Sequence, residues 1–202
     1  MKSNMLLMGM SAVMLSVAGA NAMEYRPFVG LTMGIQGMYY DGGMKNPGID
    51  LPKDFIAFGI VAGSRFGSYD KIYNGGLTFN VDTTGTEKIT GTFNNQEYAK
   101  IKTTNLSATY DNYIRLSGNK MKRIDLVLGT GLGAMNYHID DNDPLESDET
   151  RWSTSVAFKA GLDFELTKNI SLAATMRVFL PTRGQYGIET SYIAGGAIKY
   201  VF

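Results

Sequence analysis

The chain has no cysteine, five prolines in 202 residues, one histidine and one tryptophan. Without cysteine there is no disulfide framework and no thiolate for nucleophilic or metal chemistry. Lys and Arg number 19 against 19 Asp and Glu, so no electropositive footprint for nucleic acid exists. No uninterrupted apolar run reaches the ~20 residues of a membrane-spanning helix. Little proline beside 24 glycines, 12 tyrosines and 10 phenylalanines excludes a disordered chain and suits a β protein with tight turns.

What is present begins with an export signal. Met1-Lys2 precedes the apolar run Leu6 to Val17 and the small-residue stretch Ala-Gly-Ala-Asn-Ala at 18–22. A basic start, a short apolar core and an A-x-A site predict a secretory signal peptide over 1–22, cleaved after Ala22. One domain is expected over 23–202. Loss of Lys2 leaves 18 bases against 19 acids, a charge of −1.

Past residue 22, apolar residues recur with period two in eight segments and nowhere with a helical period. The segments fall near 27–39, 55–66, 72–82, 102–116, 123–137, 152–166, 170–180 and 192–202. The sixth alternates most strictly: Trp152, Thr154, Val156, Phe158, Ala160, Leu162 and Phe164 oppose Ser153, Ser155, Ala157, Lys159, Gly161, Asp163 and Glu165. Short links near 67–71, 117–122 and 167–169 alternate with long polar ones at 40–54, 83–101, 138–151 and 181–190. This pattern predicts an all-β, eight-stranded antiparallel up-and-down β-barrel with its long loops at one end.

The faces decide the solvent. In the mid-strand windows Arg65, Asp111, Arg115, Asp125, Lys159, Asp163, Glu165, Arg177 and Lys199 all share the glycine-rich face, and none lies on the apolar one. A Lys or Arg turned toward lipid at mid-depth would cost about 2–4 kcal/mol, so the partition has a physical cause. Apolar faces about 9–11 residues long match a tilted bilayer crossing. They end in aromatics such as Tyr39, Phe66, Tyr73, Trp152, Phe164, Tyr192, Tyr200 and Phe202, as interfacial girdles do. A transmembrane barrel with apolar side chains outside and charge inside is the expectation.

On these residues the chain resembles the small eight-stranded outer-membrane β-barrels of the OmpA/OmpX type, over its whole mature length. The terminal alternation Ile198, Tyr200, Phe202 is similar to the signal that this family's assembly machinery reads. The resemblance implies a Gram-negative outer membrane, both termini in the periplasm, and outer-membrane lipid, lipopolysaccharide and the barrel-assembly machinery as partners. It also implies a non-enzymatic surface protein that supports envelope integrity and presents the loops 40–54, 83–101, 138–151 and 181–190 for adhesion or host and ligand contact. The alternatives are a narrow ion or small-solute channel, a lipid-modifying enzyme, and a secreted lipocalin-like carrier.

An eight-stranded barrel is only wide enough for side chains to fill it. Folding the fourth and fifth segments about residue 120 sets Arg115 across from Asp125, a predicted pair. Folding the sixth and seventh about residue 168 sets Lys159 across from Arg177, which then requires a carboxylate the sequence does not identify. A satisfied polar filling is preferred to a gated ion path, since breaking a buried pair costs about 3–5 kcal/mol. No catalytic residue and no cofactor is expected. His138, roughly opposite Trp152 on the lipid face, finds only Asp140 and Thr154 as outward neighbours, whereas nucleophilic catalysis needs a Ser or Cys within reach of the ring. Asp140, Asp141, Asp143 and Glu146 form a weak cation candidate in the acidic stretch 139–151, which lacks the sharp-turn glycine of a calcium loop; a solvated acidic loop is preferred.

Overall fold

The computed structural model describes residues 24–40, 49–50, 52–68, 71–91, 97–119, 122–141, 149–182 and 188–202. The long strands are β1 (Glu24–Tyr40), β3 (Asp54–Gly67), β4 (Tyr73–Thr84), β6 (Glu97–Asn119), β7 (Lys122–Asp141), β8 (Glu149–Glu165), β9 (Ile170–Pro181) and β10 (Ile188–Val201). They pair antiparallel in the order β6-β4-β3-β1-β10-β9-β8-β7, and β6 pairs with β7 to close the ring. Two short strands stand outside it: β2 (Ile49–Asp50) pairs with β5 (Glu87–Gly91), which pairs with the start of β6. All eight long strands therefore have two neighbours along the ring, which satisfies their backbone groups.

The apolar stripes face outward. Leu31, Met33, Ile35, Ile56, Phe58, Ile60, Leu128, Leu132, Phe158, Met176 and Ile198 are exposed, whereas Arg65, Asp111, Asp125, Asp163, Arg177 and Lys199 are buried. This is the inside-out polarity that the segregation of charge predicts. Tyr25, Tyr73, Tyr200 and Phe202 are exposed at the turn end, where the short links lie, and Tyr39 and Trp152 toward the loop end.

The strand ends differ from the sequence expectation. The fourth and fifth segments extend from 102–116 and 123–137 to 97–119 and 122–141. The link 117–122 shrinks to a two-residue connection, because pairing continues to Asn119↔Lys122 past a register shift between Arg115 and Ser117. Much of the expected loop 83–101 is strand, as β5 folds back on β6. At the other end of β3, Gly67 has φ +140°, and a Cβ there would lie 2.1 Å from Asn74 Oδ1. Only glycine adopts that conformation without strain.

Candidate functional site

The barrel interior is layered. Nearest the turn end, Arg65 Nη1 lies 2.7 Å from Glu165 Oε1 and 3.3 Å from Asp125 Oδ2, and its Nη2 is 2.8 Å from Asp163 Oδ1. Each carboxylate takes a second cation: Arg26 at 2.8 Å from Glu165, Arg123 at 2.6 Å from Asp125, and Lys199 on Asp163. The Arg65 guanidinium also sits 4.1 Å from the centroid of the Tyr113 ring, a cation–π contact in a desolvated place. Buried charges persist only when paired and hydrogen-bonded, and a planar guanidinium can serve three acids at once.

The next layer holds two crossed pairs. Asp111 accepts from Lys159 Nζ at 2.6 Å, from Thr78 at 2.5 Å and from Thr109 at 2.8 Å. Gly129 makes room for this group, since a Cβ there would lie 2.2 Å from Asp111 Oδ1. Arg177 donates twice to Asp82, at 2.5 and 3.0 Å, and Thr32 donates to the same carboxylate at 2.8 Å. Above them Gln36 Oε1 accepts from Asn105 at 2.6 Å and Thr103 at 3.1 Å, while its amide nitrogen donates to Ser191 at 3.2 Å.

Toward the loop end the filling becomes apolar. Met38, Phe55, Ile89, Ile101, Met135, Tyr137, Phe179 and Ile193 form one buried cluster, with Tyr40 and Ile139 packed against it. Tyr40 donates to Pro52 O at 2.9 Å.

Several expected residues meet as anticipated in position but with different partners. Lys159 and Arg177 are register partners, and the missing carboxylates are Asp111 and Asp82. Arg115 and Asp125 are register partners too, but the Asp125 carboxylate is engaged by Arg123 and Arg65, on neighbouring positions of the same inner layer. Sequence reasoning missed Arg26, Asp82, Arg123, Tyr113 and Gln36. Asp82 and Arg123 share the inward parity of residues that were found, and fell at the ends of their segments, outside the mid-strand windows in which charge was tallied. The wholly polar filling expected of the lumen is corrected by the apolar cap. Inward positions at that height carry large apolar side chains that exclude water from the barrel mouth.

At the rim, His138 stands opposite Thr150, not Trp152; Trp152 pairs with Asn136, one step lower. Its Nδ1 is 2.8 Å from Thr150 Oγ1 and its Nε2 is 2.6 Å from Asp140 Oδ1, so a hydroxyl does reach the ring. Of the cation candidate, Asp140 is engaged with this imidazole and Asp141 ends β7. Asp143 and Glu146 lie outside the described residues. The terminal Ile198, Tyr200 and Phe202 line the outer face of β10 and its end, with Tyr200 and Phe202 edge-on at 5.1 Å.

The same architecture recurs in solved structures. The attachment invasion locus protein Ail of Yersinia pestis superimposes with a TM-score of 0.56 at 17% identity, over 91% of this chain and 100% of that one. Ail has also been solved in complex with the heparin analogue sucrose octasulfate, with a TM-score of 0.54. OprG of Pseudomonas aeruginosa gives 0.54 at 12% identity, over 86% of this chain and 95% of that one. At these identities the likeness is one of fold. No curated protein matches by sequence. The model of the outer membrane protein beta-barrel domain matches residues 10–196. With the closed eight-stranded ring and its apolar outer belt, that match means that the chain belongs to the outer membrane protein β-barrel domain family and is a barrel of the outer membrane.

Proposed function

We propose that this barrel is a non-enzymatic surface protein of a Gram-negative envelope, a closed anchor that supports envelope integrity and offers its loop end to ligands or host surfaces. In this reading residues 1–22 are removed on export, and the assembly machinery engages Ile198, Tyr200 and Phe202. Both termini lie in the periplasm and the loop end faces outward. The observation that carries it is the filled interior. Two ion-paired layers lie beneath an apolar cap in which Met135 and Phe179 are 0% exposed. Moving an ion past them would require separating buried pairs at about 3–5 kcal/mol each, so recognition falls to the outer rim. Because a barrel of this fold has been solved with a heparin analogue, a sulfated glycan is the first ligand to try. Binding of cells expressing the protein to immobilised heparin, compared with cells lacking it, tests the role. Discrete conductance steps in liposomes would replace it with a channel.

One observation favours a second reading. The Thr150–His138–Asp140 array is a hydroxyl, a base and a carboxylate in sequence, facing the membrane interface, as a lipid-modifying hydrolase requires. Threonine is a hindered nucleophile here, so the array ranks second. A change in lipid A composition on overexpression, lost in His138→Ala, would promote it.

A further inference from the structure

One outward glycine has no steric reason within the barrel itself. At Gly30, Gly34, Gly59, Gly131 and Gly161 an added methyl would meet a backbone oxygen at 1.9–2.4 Å. At Gly196 the nearest atom, Ala173 O, is 3.5 Å away, which is ordinary contact. Gly196 is exposed on β10, in the middle of the apolar belt. Glycine weakens a strand interior, and its presence there marks a place where another group approaches the backbone closely. A hollow of about 1160 Å3 opens on the lipid side over Ala194 and Gly196, walled by Leu31, Met33 and Ile35 of β1 and by Leu172 of β9. Across the β1–β10 ladder Met33 is the register partner of Gly196, and Ile35 of Ala194. Two tall side chains, 62% and 54% exposed, therefore stand beside two small ones.

We infer that this face of the barrel pairs with a second copy of the chain, as a reversible two-fold dimer whose axis runs along the bilayer normal over the β1–β10 ladder. Such an axis leaves depth unchanged. Register partners on strands ~4.8 Å apart and tilted by ~40° differ in depth by only about 3 Å. Met33 and Ile35 of each copy therefore enter the hollow over Gly196 and Ala194 of the other. Tall beside small is self-complementary under a two-fold axis, as an isologous contact requires. Within hydrocarbon the exclusion of water contributes nothing, and association is driven by close packing that small residues permit. The outward positions Leu31, Met33, Ile35, Ala194, Gly196 and Ile198 carry no charge to oppose the approach. The hollow is lined by residues of four strands, β3, β1, β10 and β9. Four strands ~4.8 Å apart, with an apolar band ~25 Å tall, offer roughly 500 Å2 per partner, so a pair lies near the ~1,000 Å2 lower bound of a specific interface. That area makes the dimer a weak one.

The inference goes beyond the role proposed above and does not depend on which ligand the loops meet. The chain has no cysteine, so engineered thiols report on it without background. Two differently tagged copies, one with Met33→Cys and the other with Gly196→Cys, are expressed together and oxidised in intact outer membranes. A disulfide joining the two tags is expected. The control pair Leu132→Cys and Val156→Cys, on β7 and β8, should give none. Absence of the mixed product, or as much of it from the control pair, would overturn the dimer. A second measurement follows energy transfer between fluorescent copies in phospholipid vesicles as protein density is raised. Gly196→Leu fills the hollow from within and should raise the density at which half the barrels pair by at least about tenfold. Ala194→Leu should act in the same direction, and heat-modifiable gel mobility confirms that each variant is folded. Undiminished pairing in both variants would refute the face. A wild type that stays monomeric at every density, with a co-purified lipid that Gly196→Leu loses, would assign the hollow to an acyl chain and overturn the second copy as its occupant.

Discussion

At the residue scale, the interior is a set of charges whose places depend on each other. Asp82 and Arg177 are each at most 5% exposed in their side chains and joined by two hydrogen bonds. Removing one partner strands the other without water. Arg177→Leu should therefore destabilise the barrel by about 3–5 kcal/mol, while Asp82→Leu/Arg177→Leu should recover much of the loss, as read by urea unfolding in detergent. Equal destabilisation by the single and double variants would mean that the pair is not coupled. Gly129 tests the same layer from the other side. Alanine there pushes a methyl toward Asp111 Oδ1 and should cost about 1–3 kcal/mol, an effect that Lys159→Met should change because the two act on one carboxylate.

At the element scale, each strand is a two-sided ribbon, and a one-residue change of side reverses its meaning. Leu132 is 72% exposed in the apolar belt, while its neighbours Gly131 and Gly133 turn inward. Leu132→Lys should cost about 2–4 kcal/mol in a bilayer and little in a detergent whose headgroups reach it. Comparing unfolding in the two solvents checks the assignment, and equal loss in both would contradict it. The turn after β3 makes a similar demand of backbone: Gly67→Val should lower the folded yield through its φ of +140°. On β10, Phe202→Ala should reduce the fraction of chains assembled in the outer membrane while leaving refolding of the purified protein in detergent nearly intact. Equal loss in both would make Phe202 a stability residue rather than an assembly signal.

For the whole molecule, closure of the ring and filling of its lumen determine what can be done with it. The ion-paired layers and the apolar cap are independent barriers along the axis. Phe55→Ala/Phe179→Ala removes much of the cap but leaves the layers below, so liposomes carrying this variant should still show no discrete conductance. Steps appearing in that variant would identify the cap as the only seal. At the loop-end rim polar side chains such as Lys102 and Thr150 are exposed, which is why the ligand experiments are directed there.

Fold class, strand number and the direction in which each strand faces were legible from the period-two pattern and from the segregation of charge. Both are local: alternate Cβ atoms point to opposite faces, and a bilayer tolerates few charges on its own side. Register of the hairpin after β8 was legible as well, because antiparallel neighbours are set by counting from the turn. Across the two-residue connection, counting from Asn119↔Lys122 sets Leu126 opposite Arg115, and the register shift between Arg115 and Ser117 is what brings Asp125 there. Which acid meets which base was decided only by tertiary structure. Asp82 on β4 reaches Arg177 on β9, and Arg65 on β3 reaches Glu165 on β8, across the lumen between strands that are not neighbours in the ring. Such contacts depend on the tilt and closure of the ring, and these are properties of eight strands together, not of any segment read alone.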